Sequence, residues 1–146
     1  MECLTRESEE ADFVVKKIRT WLDEFPPETI CLAARTNSQL TDRYQPLLEQ
    51  AGIATVMVKR DPESEASSPG IRLATMHRMK GLEFSRVLLA GVQDGSMPLD
   101  ITMTSDEVSR EDHELQERCL LYVASTRARD ELAITGFGKP SRFLGI

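Results

Sequence analysis

The sequence lacks long hydrophobic runs, a leader segment and a phosphate-binding loop, and each of these absences excludes a class of protein. The longest apolar stretch, residues 87–92, is far too short to span a bilayer. The first residues contain no charged segment followed by an apolar one, which predicts a cytoplasmic protein with no membrane partner. No G-x-x-x-x-G-K-S/T motif occurs. The chain by itself therefore does not cradle the phosphates of ATP in the way that such loops do.

Cysteine is also scarce. The three cysteines, Cys3, Cys31 and Cys119, are odd in number and widely separated, and none has the spacing of metal ligands. Cys31 and Cys119 fall within predicted apolar elements. We therefore interpret the cysteines as small buried hydrophobic residues, and the sequence predicts no disulfide and no metal site.

A basic charge balance is missing as well. The net charge of -6 argues against a free-standing nucleic-acid binder, which would usually present a basic face. The charge is uneven, because residues 71–92 contain four basic side chains against one acidic side chain. A weakly basic strip within an acidic domain suits a nucleic acid that is held jointly with another domain.

The length of 146 residues fits one domain with a real core. Helix-like and strand-like segments alternate, which predicts an α/β fold with a mostly parallel central sheet flanked by helices. The spacing of apolar residues predicts three helices, over 8–25, from a cap at Asn37 or Ser38 to about Gly52, and over 107–127. Strands are predicted over 29–34, 53–58, 71–75, 84–92 and 131–135.

Three segments lack a regular pattern. Residues 59–70 are rich in proline, serine and glutamate and predict a loop, residues 93–105 predict a longer connection, and residues 136–146 predict a tail. The last predicted helix carries an apolar face, which we expect to pack on the sheet with Tyr122 in the core. Its members are Leu115, Cys119, Tyr122, Val123 and Thr126.

Three groups of polar residues follow predicted elements at points where ligands collect in open α/β sheets: Arg35, the turn 77–83, and Arg127. Phosphoryl transfer needs cations where charge develops, and an arginine from a second domain can raise the rate by roughly 10³ to 10⁵. The residues alone leave structural alternatives open. Arg35 fits a surface position, Arg127 fits a cation at a helix C-terminus, and Glu83 and Lys80 fit solvated positions.

The same residues resemble the motifs of a known family. Residues 34–39 (Ala-Arg-Thr-Asn-Ser-Gln), 75–84 (Thr-Met-His-Arg-Met-Lys-Gly-Leu-Glu-Phe) and 121–128 (Leu-Tyr-Val-Ala-Ser-Thr-Arg-Ala) resemble motifs IV, V and VI of UvrD/Rep-type superfamily 1 DNA helicases, in the correct order. The resemblance implies that residues 1–146 form the second, C-terminal RecA-like motor domain, a three-layer fold that lacks the phosphate loop.

The resemblance also implies a nucleotide site. Arg35 and Arg127 would be the catalytic residues that approach the γ-phosphate of ATP. Glu83 would accept a hydrogen bond from the ribose hydroxyl, and Gly81 would let the backbone come close to the nucleotide. We expect these groups to converge on one rim of the sheet and to complete a pocket whose floor lies in another domain.

The remaining implications concern DNA and the parent protein. Thr75 and His77 would face single-stranded DNA. ATP and its Mg²⁺ would be bound mainly by an N-terminal RecA-like domain that is absent from this chain. The predicted function is thus part of an ATP-dependent 3′-to-5′ DNA helicase or translocase, with the isolated fragment inactive.

Two departures from the family pattern keep alternatives open. Ala34 stands where these helicases often carry a tyrosine that stacks on adenine, and residues 59–70 stand where an accessory domain is commonly inserted. The alternative function is a non-catalytic binding or scaffold module derived from a helicase. A stand-alone nucleotide-binding protein is a weaker alternative, because the chain has no glycine-rich phosphate turn.

Overall fold

The structure, a computed structural model, describes residues 2–4, 6–58, 69–99 and 107–144. Within these ranges six strands form one parallel sheet in the order β1-β6-β5-β2-β4-β3. The strands are β1 (Glu2–Leu4), β2 (Ile30–Ala34), β3 (Thr55–Met57), β4 (Ile71–Thr75), β5 (Phe84–Leu89) and β6 (Ala128–Phe137).

Helices cover both faces of this sheet. Helix α1 (Glu7–Leu22) precedes β2, and α4 (Glu107–Ser125) precedes β6. Between β2 and β3 a continuous helical segment comprises α2 (Asn37–Gln39), a π-helical turn (Leu40–Tyr44) and α3 (Gln45–Gln50). Three short 3₁₀ turns occupy Pro27–Thr29, Met76–Met79 and Arg142–Leu144.

The core lies in two layers separated by β2, whose five residues are all buried. Ile30, Leu32 and Ala34 face the layer beneath α1 and α3, whereas Cys31 and Ala33 face the layer beneath α4. This alternation is the consequence of the two-residue period of a strand. The predicted α/β fold, with a parallel sheet between two layers of helices, is confirmed.

A buried carboxylate ties α1 to the helical segment after β2. Glu10 is fully buried, and its Oε1 accepts hydrogen bonds from Arg43 Nη2 at 2.7 Å and from the Tyr44 hydroxyl at 2.8 Å. Its Oε2 accepts from the backbone N–H of Gly91 at 3.0 Å, just beyond the end of β5. Burial and the adjacent Glu10 raise the pKa of Tyr44, so its hydroxyl keeps the proton that it donates.

A second contact holds the other end of α1 against the sheet. Trp21 is 3% exposed and donates from Nε1 to Glu131 Oε2 at 2.8 Å. Lys17 pairs with the same carboxylate oxygen at 2.9 Å and lies over the Trp21 ring. Glu131 is in β6, so these contacts join α1 to the strand that follows α4.

The parallel strands end on one side of the sheet and begin on the opposite side. The candidate site residues lie on these two sides, which we call edges. We call the side where β2 and β4 end the carboxyl edge; there Ala34 and Thr75 are register partners. We call the side where β5 and β6 begin the amino edge; there Phe84 and Ala128 are register partners. Because all strands are parallel, both α4 and the segment 76–83 must cross from the carboxyl edge to the amino edge.

The structure differs from the predicted elements in several places. The cap of the helix after β2 is Thr36, not Asn37 or Ser38, because the Thr36 hydroxyl and the Gln39 side chain satisfy each other's backbone N–H groups. Strand β1 was not predicted. Strand β6 begins at Ala128 rather than at residue 131 and includes two residues of the predicted tail, because exposed charged side chains obscure its first half. Residues 59–68 of the predicted loop and 100–105 of the predicted connection lie outside the described residues.

Candidate functional site

An ion pair joins the carboxyl edge to α4. Arg35, the first residue after β2, donates from Nε to both carboxylate oxygens of Glu117, at 2.8 and 3.0 Å. The Glu117 side chain is 3% exposed and the Arg35 side chain 14% exposed. The pair is therefore largely shielded from water, where removing one partner is far more damaging than at the surface.

The same region of α4 also holds the chain that leads into it. The backbone N–H of Leu99 donates to Glu117 Oε1 at 2.8 Å, and His113 Nε2 donates to the Leu99 carbonyl at 2.8 Å. His113 and Glu117 are four residues apart and so lie on one face of the helix. Leu99 is thus fixed through both polar groups of its backbone.

These contacts set the charge of Glu117. Burial raises the pKa of this carboxyl, but the Arg35 guanidinium and the Leu99 N–H lower it more, and its pKa lies below the ordinary value. The carboxylate is therefore ionised throughout the neutral range.

The depressed pKa predicts how the stability of the chain depends on pH. Because the folded state binds the proton more weakly than the unfolded state, the contribution of Glu117 is fully present above the unfolded pKa of about 4.3 and is lost as the pH falls through the folded-state pKa. We expect the difference in free energy of unfolding between the wild type and Glu117→Gln to shrink below about pH 4. Urea unfolding at several pH values measures it; a difference that is unchanged in acid would contradict the assignment.

The other polar residues of the carboxyl edge lie at the end of β4 and directly after it. The Thr75 hydroxyl accepts from the backbone N–H of Arg78 at 3.3 Å and so caps the 3₁₀ turn Met76–Met79. This turn presents His77 on the surface. Partial burial and the nearby charge of Arg35 hold the pKa of His77 below its ordinary value, with a smaller contribution from Lys80. The imidazole is therefore neutral at physiological pH.

A groove of about 400 Å³ runs between this turn and α4. Its walls combine two polar side chains from the turn with a largely apolar surface from the helix. The lining residues are His77, Lys80, Leu115, Gln116, Cys119, Leu120 and Val123.

The amino edge carries a second group. Gly81, with a φ of +79° that disfavours other residues, and Glu83 are exposed and lead into β5. The backbone N–H of Phe84 donates to the Arg127 carbonyl at 3.0 Å, so the chain at Glu83 and the chain at Arg127 lie side by side. Arg127 Nε donates weakly to the Val123 carbonyl at 3.4 Å. Among the described residues, no acidic side chain pairs with Arg127.

The prediction that Arg35, Glu83 and Arg127 share one rim is wrong. The structure places Arg35 at the carboxyl edge beside Thr75 and His77, and it places Gly81, Glu83 and Arg127 at the amino edge. The reason is topological: β4 and β5 both run parallel to β2, so the segment between Thr75 and Phe84 must traverse the full height of the sheet. Residues 75–84 therefore extend from the carboxyl edge to the amino edge.

The predicted packing face of α4 is also wrong. Tyr122 is 70% exposed, Leu115 is 57% exposed and Cys119 is exposed as well, so neither Tyr122 nor Cys119 is a core residue. Cys31, by contrast, is buried as predicted. The helix turns its other side to the sheet, with Glu117, Leu120, Leu121 and Ala124 buried. Both sides of α4 carry apolar residues. The side that packs on the sheet includes Glu117, whose carboxylate accepts hydrogen bonds from Arg35.

Sequence reasoning missed Glu117, His113 and Glu10. A signal for the two glutamates was present. Glu117 has the helical spacing of Leu120, Leu121 and Ala124, and Glu10 has that of Val14 and Ile18. A carboxylate on the apolar stripe of a helix is expected to have a buried partner.

The described residues contain neither a metal site nor a helix that could cross a membrane. No cluster of three or more histidine, cysteine, aspartate or glutamate side chains in this part of the chain has the arrangement of a metal site. None of the helices within it combines the length and the apolar character that crossing a membrane requires.

The chain is similar in sequence to known proteins. Residues 47–139 match the family of UvrD-like helicase C-terminal domains. The chain is 35% identical over 127 residues to the ATP-dependent DNA helicase UvrD2 of Mycobacterium bovis, covering 77% of this chain and 17% of that protein. It is 37% identical over 114 residues to the ATP-dependent DNA helicase PcrA of Staphylococcus aureus, covering 68% of this chain and 15% of that protein.

A solved structure shares the fold. The C-terminal domain of a possible DNA helicase from Lactobacillus plantarum superposes with a TM-score of 0.70, covering 97% of this chain and 75% of that chain, at 19% identity. At this identity the likeness concerns the fold alone. The family match over residues 47–139, which is more than half of the chain, establishes the assignment: the chain belongs to the family of UvrD-like helicase C-terminal domains.

Proposed function

We propose that this chain is the second RecA-like domain of an ATP-dependent, 3′-to-5′ DNA helicase or translocase. The observation that carries the proposal is the separation of two groups of residues onto two edges of one sheet. The amino edge would meet a nucleotide and the carboxyl edge would meet DNA. The family match supports the proposal, and the polarity rests on the resemblance of the motifs alone.

At the amino edge, Arg127 is the residue we assign to the γ-phosphate of ATP. Its planar guanidinium can hold two phosphate oxygens at once, and no described carboxylate competes for it. Glu83, exposed beside it, would accept a hydrogen bond from the ribose hydroxyl, and Gly81 would let the backbone approach the nucleotide. Arg35 is left out of this site because it lies at the opposite edge with Nε paired to Glu117.

At the carboxyl edge, Thr75 and His77 are the residues we assign to single-stranded DNA. A neutral His77 would donate a hydrogen bond to the strand without adding charge. Lys80 in the groove and Arg35 beside Thr75 would supply the cations that attract phosphates.

The rest of the nucleotide site would come from an N-terminal RecA-like domain of the same cytoplasmic parent protein. That domain would hold ATP and Mg²⁺, whose chemistry is to neutralise charge on the phosphates. Closure of the cleft would bring Arg127 to the γ-phosphate, and hydrolysis would release it, which is a hinge motion gated by a ligand.

Because the N-terminal domain would hold ATP and Mg²⁺, we predict that the isolated 146-residue chain hydrolyses no measurable ATP. Joined to its native upstream region, the same chain should support ATP hydrolysis that single-stranded DNA stimulates. A steady-state phosphate-release assay on both proteins tests the prediction. Turnover by the isolated chain, or none by the joined protein, would contradict the proposed function.

The second candidate function is a non-catalytic scaffold module, and one observation favours it. Ala34 is fully buried in β2, so nothing at this position stacks on an adenine. The positions of Glu83 and Arg127 next to each other at the amino edge argue for the motor, because packing does not require either side chain there.

A further inference from the structure

We propose that one exposed face of α4 is the surface on which the N-terminal RecA-like domain of the parent protein docks. We call it the outer face; it is defined by Leu115, Cys119 and Tyr122, which recur at the spacing of successive helical turns. The inference rests on the proposed function and deepens it, because it names the surface that the partner domain covers. The occupant is an apolar protein surface.

The outer face is apolar and open to solvent. Tyr122 is 70% exposed, Leu115 is 57% exposed, and Cys119 between them is exposed as well. Within the described ranges only one other large hydrophobic side chain, Leu132, is exposed. Single exposed hydrophobic residues are common on protein surfaces, whereas a row of neighbouring ones marks an interaction site. Aromatic residues such as Tyr122 are enriched where partners pack most closely.

The position of the outer face identifies its occupant. At one end, Leu115 and Cys119 line the groove that also contains His77, which we assign to DNA. At the other end, Tyr122 is close in sequence to Arg127, which we assign to ATP. The helical rise places Leu115 and Arg127 about 18 Å apart. A domain that shares DNA at the carboxyl edge and ATP at the amino edge therefore has to extend across the outer face.

Two other occupants fit this surface less well. None of the three residues of the outer face is cationic, whereas binding to DNA depends on cations that neutralise its phosphates. A second copy of this chain on the outer face would obstruct the approach of the partner domain to Arg127. The helicases compared above leave ample length for such a domain, because the matched regions cover only 17% and 15% of them.

Cys119 provides a direct probe of docking, because its thiol is exposed in the isolated chain. The experiment labels two proteins with N-ethylmaleimide: the isolated chain, and the same chain joined to its native upstream region. Peptide mass spectrometry measures the rate at Cys119. Both samples contain a non-hydrolysable ATP analogue and no DNA, so that a bound strand cannot shield the thiol. We expect labelling to be about tenfold slower or more in the joined protein, because a docked apolar surface excludes solvent.

Two controls accompany this measurement. Cys31 is buried and should stay unlabelled in both proteins, which shows that the fold persists. The isolated chain is also labelled over a range of concentrations. Equal rates at Cys119 in the two proteins would overturn the proposal. Labelling of the isolated chain that slows as its concentration rises would show that a second copy covers the outer face, and would overturn the proposal as well.

Tyr122→Ala tests whether the outer face itself holds the partner domain. The quantity compared is the labelling rate of Cys119 in the isolated chain divided by the rate in the joined protein, so that a local effect on the thiol cancels. We expect Tyr122→Ala to lower this ratio about fivefold or more, because a few aromatic anchors carry most of the energy of an interface. Leu132→Ala, an exposed apolar position on β6, is the matched control and should leave the ratio within about twofold. A ratio unchanged by Tyr122→Ala would refute the assignment of this face.

The result is separable from the fate of the proposed function, because labelling does not depend on turnover. DNA-stimulated ATP hydrolysis by the joined protein, with Cys119 equally reactive in both proteins, would overturn this inference alone. Protection of Cys119 without ATP hydrolysis would overturn the motor function and support the docking face.

Discussion

Replacing Arg127 by alanine in the full-length parent protein should lower DNA-stimulated ATP turnover by about 10³-fold, because an arginine supplied across a domain cleft stabilises charge on the transferring phosphate. The structural alternative for Arg127, a cation at the C-terminus of α4, is worth only about 0.3–1 kcal/mol of stability. A thousandfold loss of rate corresponds to about 4 kcal/mol of transition-state stabilisation. The two roles therefore differ enough for one measurement to separate them.

Arg129→Ala is the matched control for this experiment. Arg129 lies two residues further on, is exposed, and donates to the Ser85 hydroxyl at 3.1 Å. We expect its variant to keep turnover within about twofold of the wild type, because exposed contacts of this kind contribute little. Thermal unfolding of both variants checks that the fold persists. Turnover by Arg127→Ala within a few fold of the wild type would favour the scaffold function instead.

The second large effect concerns stability. Glu10→Ala should destabilise the chain by about 3 kcal/mol or more, because it removes the acceptor shared by a partly buried arginine, a buried hydroxyl and a backbone N–H. A domain has only about 5–15 kcal/mol of stability, so a large share would be lost. Urea unfolding at neutral pH measures the change, and the midpoint of thermal unfolding should fall by about 10 °C.

Asp12→Ala controls for a lost carboxylate on the same helix. Asp12 is exposed, two residues from Glu10, and its replacement should change the free energy of unfolding by no more than about 0.5 kcal/mol. Glu10→Gln should lie between the two, because it keeps one acceptor but turns an amide N–H toward Gly91. Equal stabilities for Glu10→Ala and Asp12→Ala would show that the buried network contributes nothing.

Local features of the fold were predictable because they depend on near neighbours. The apolar spacing in α1, the run of buried residues in β2 and the string of motif residues from Thr75 to Phe84 all lie within short windows. The parallel sheet between helical layers followed from the order of these elements.

The edge on which each site residue lies depends on distant pairings, and the sequence does not specify them locally. Strand β2 lies between β4 and β5, so a segment of eight residues has to cross the sheet and separates Thr75 from Glu83. The partner of Arg35 is 82 residues away. Strand β1 was missed for the same reason, since it is defined only by its pairing with β6.

The face of α4 could not be chosen from its periodicity. Leu115 and Tyr122 on one side compete with Leu120, Leu121 and Ala124 on the other, and both sets have helical spacing. The buried side includes the charged residue Glu117. A count of apolar residues on each side therefore favours the wrong side. The partner of that charge, Arg35, is 82 residues away in sequence, so the periodicity of α4 alone gives no sign that Glu117 has an ion-pair partner.

The single tryptophan gives the molecule an internal optical probe. Trp21 is shielded from solvent and its indole N–H is bonded to a strand of the sheet, so its fluorescence depends on α1 remaining docked. Emission should shift to longer wavelength when α1 detaches, because the ring then meets water. Comparing that signal with far-ultraviolet circular dichroism would reveal whether α1 separates before the sheet melts.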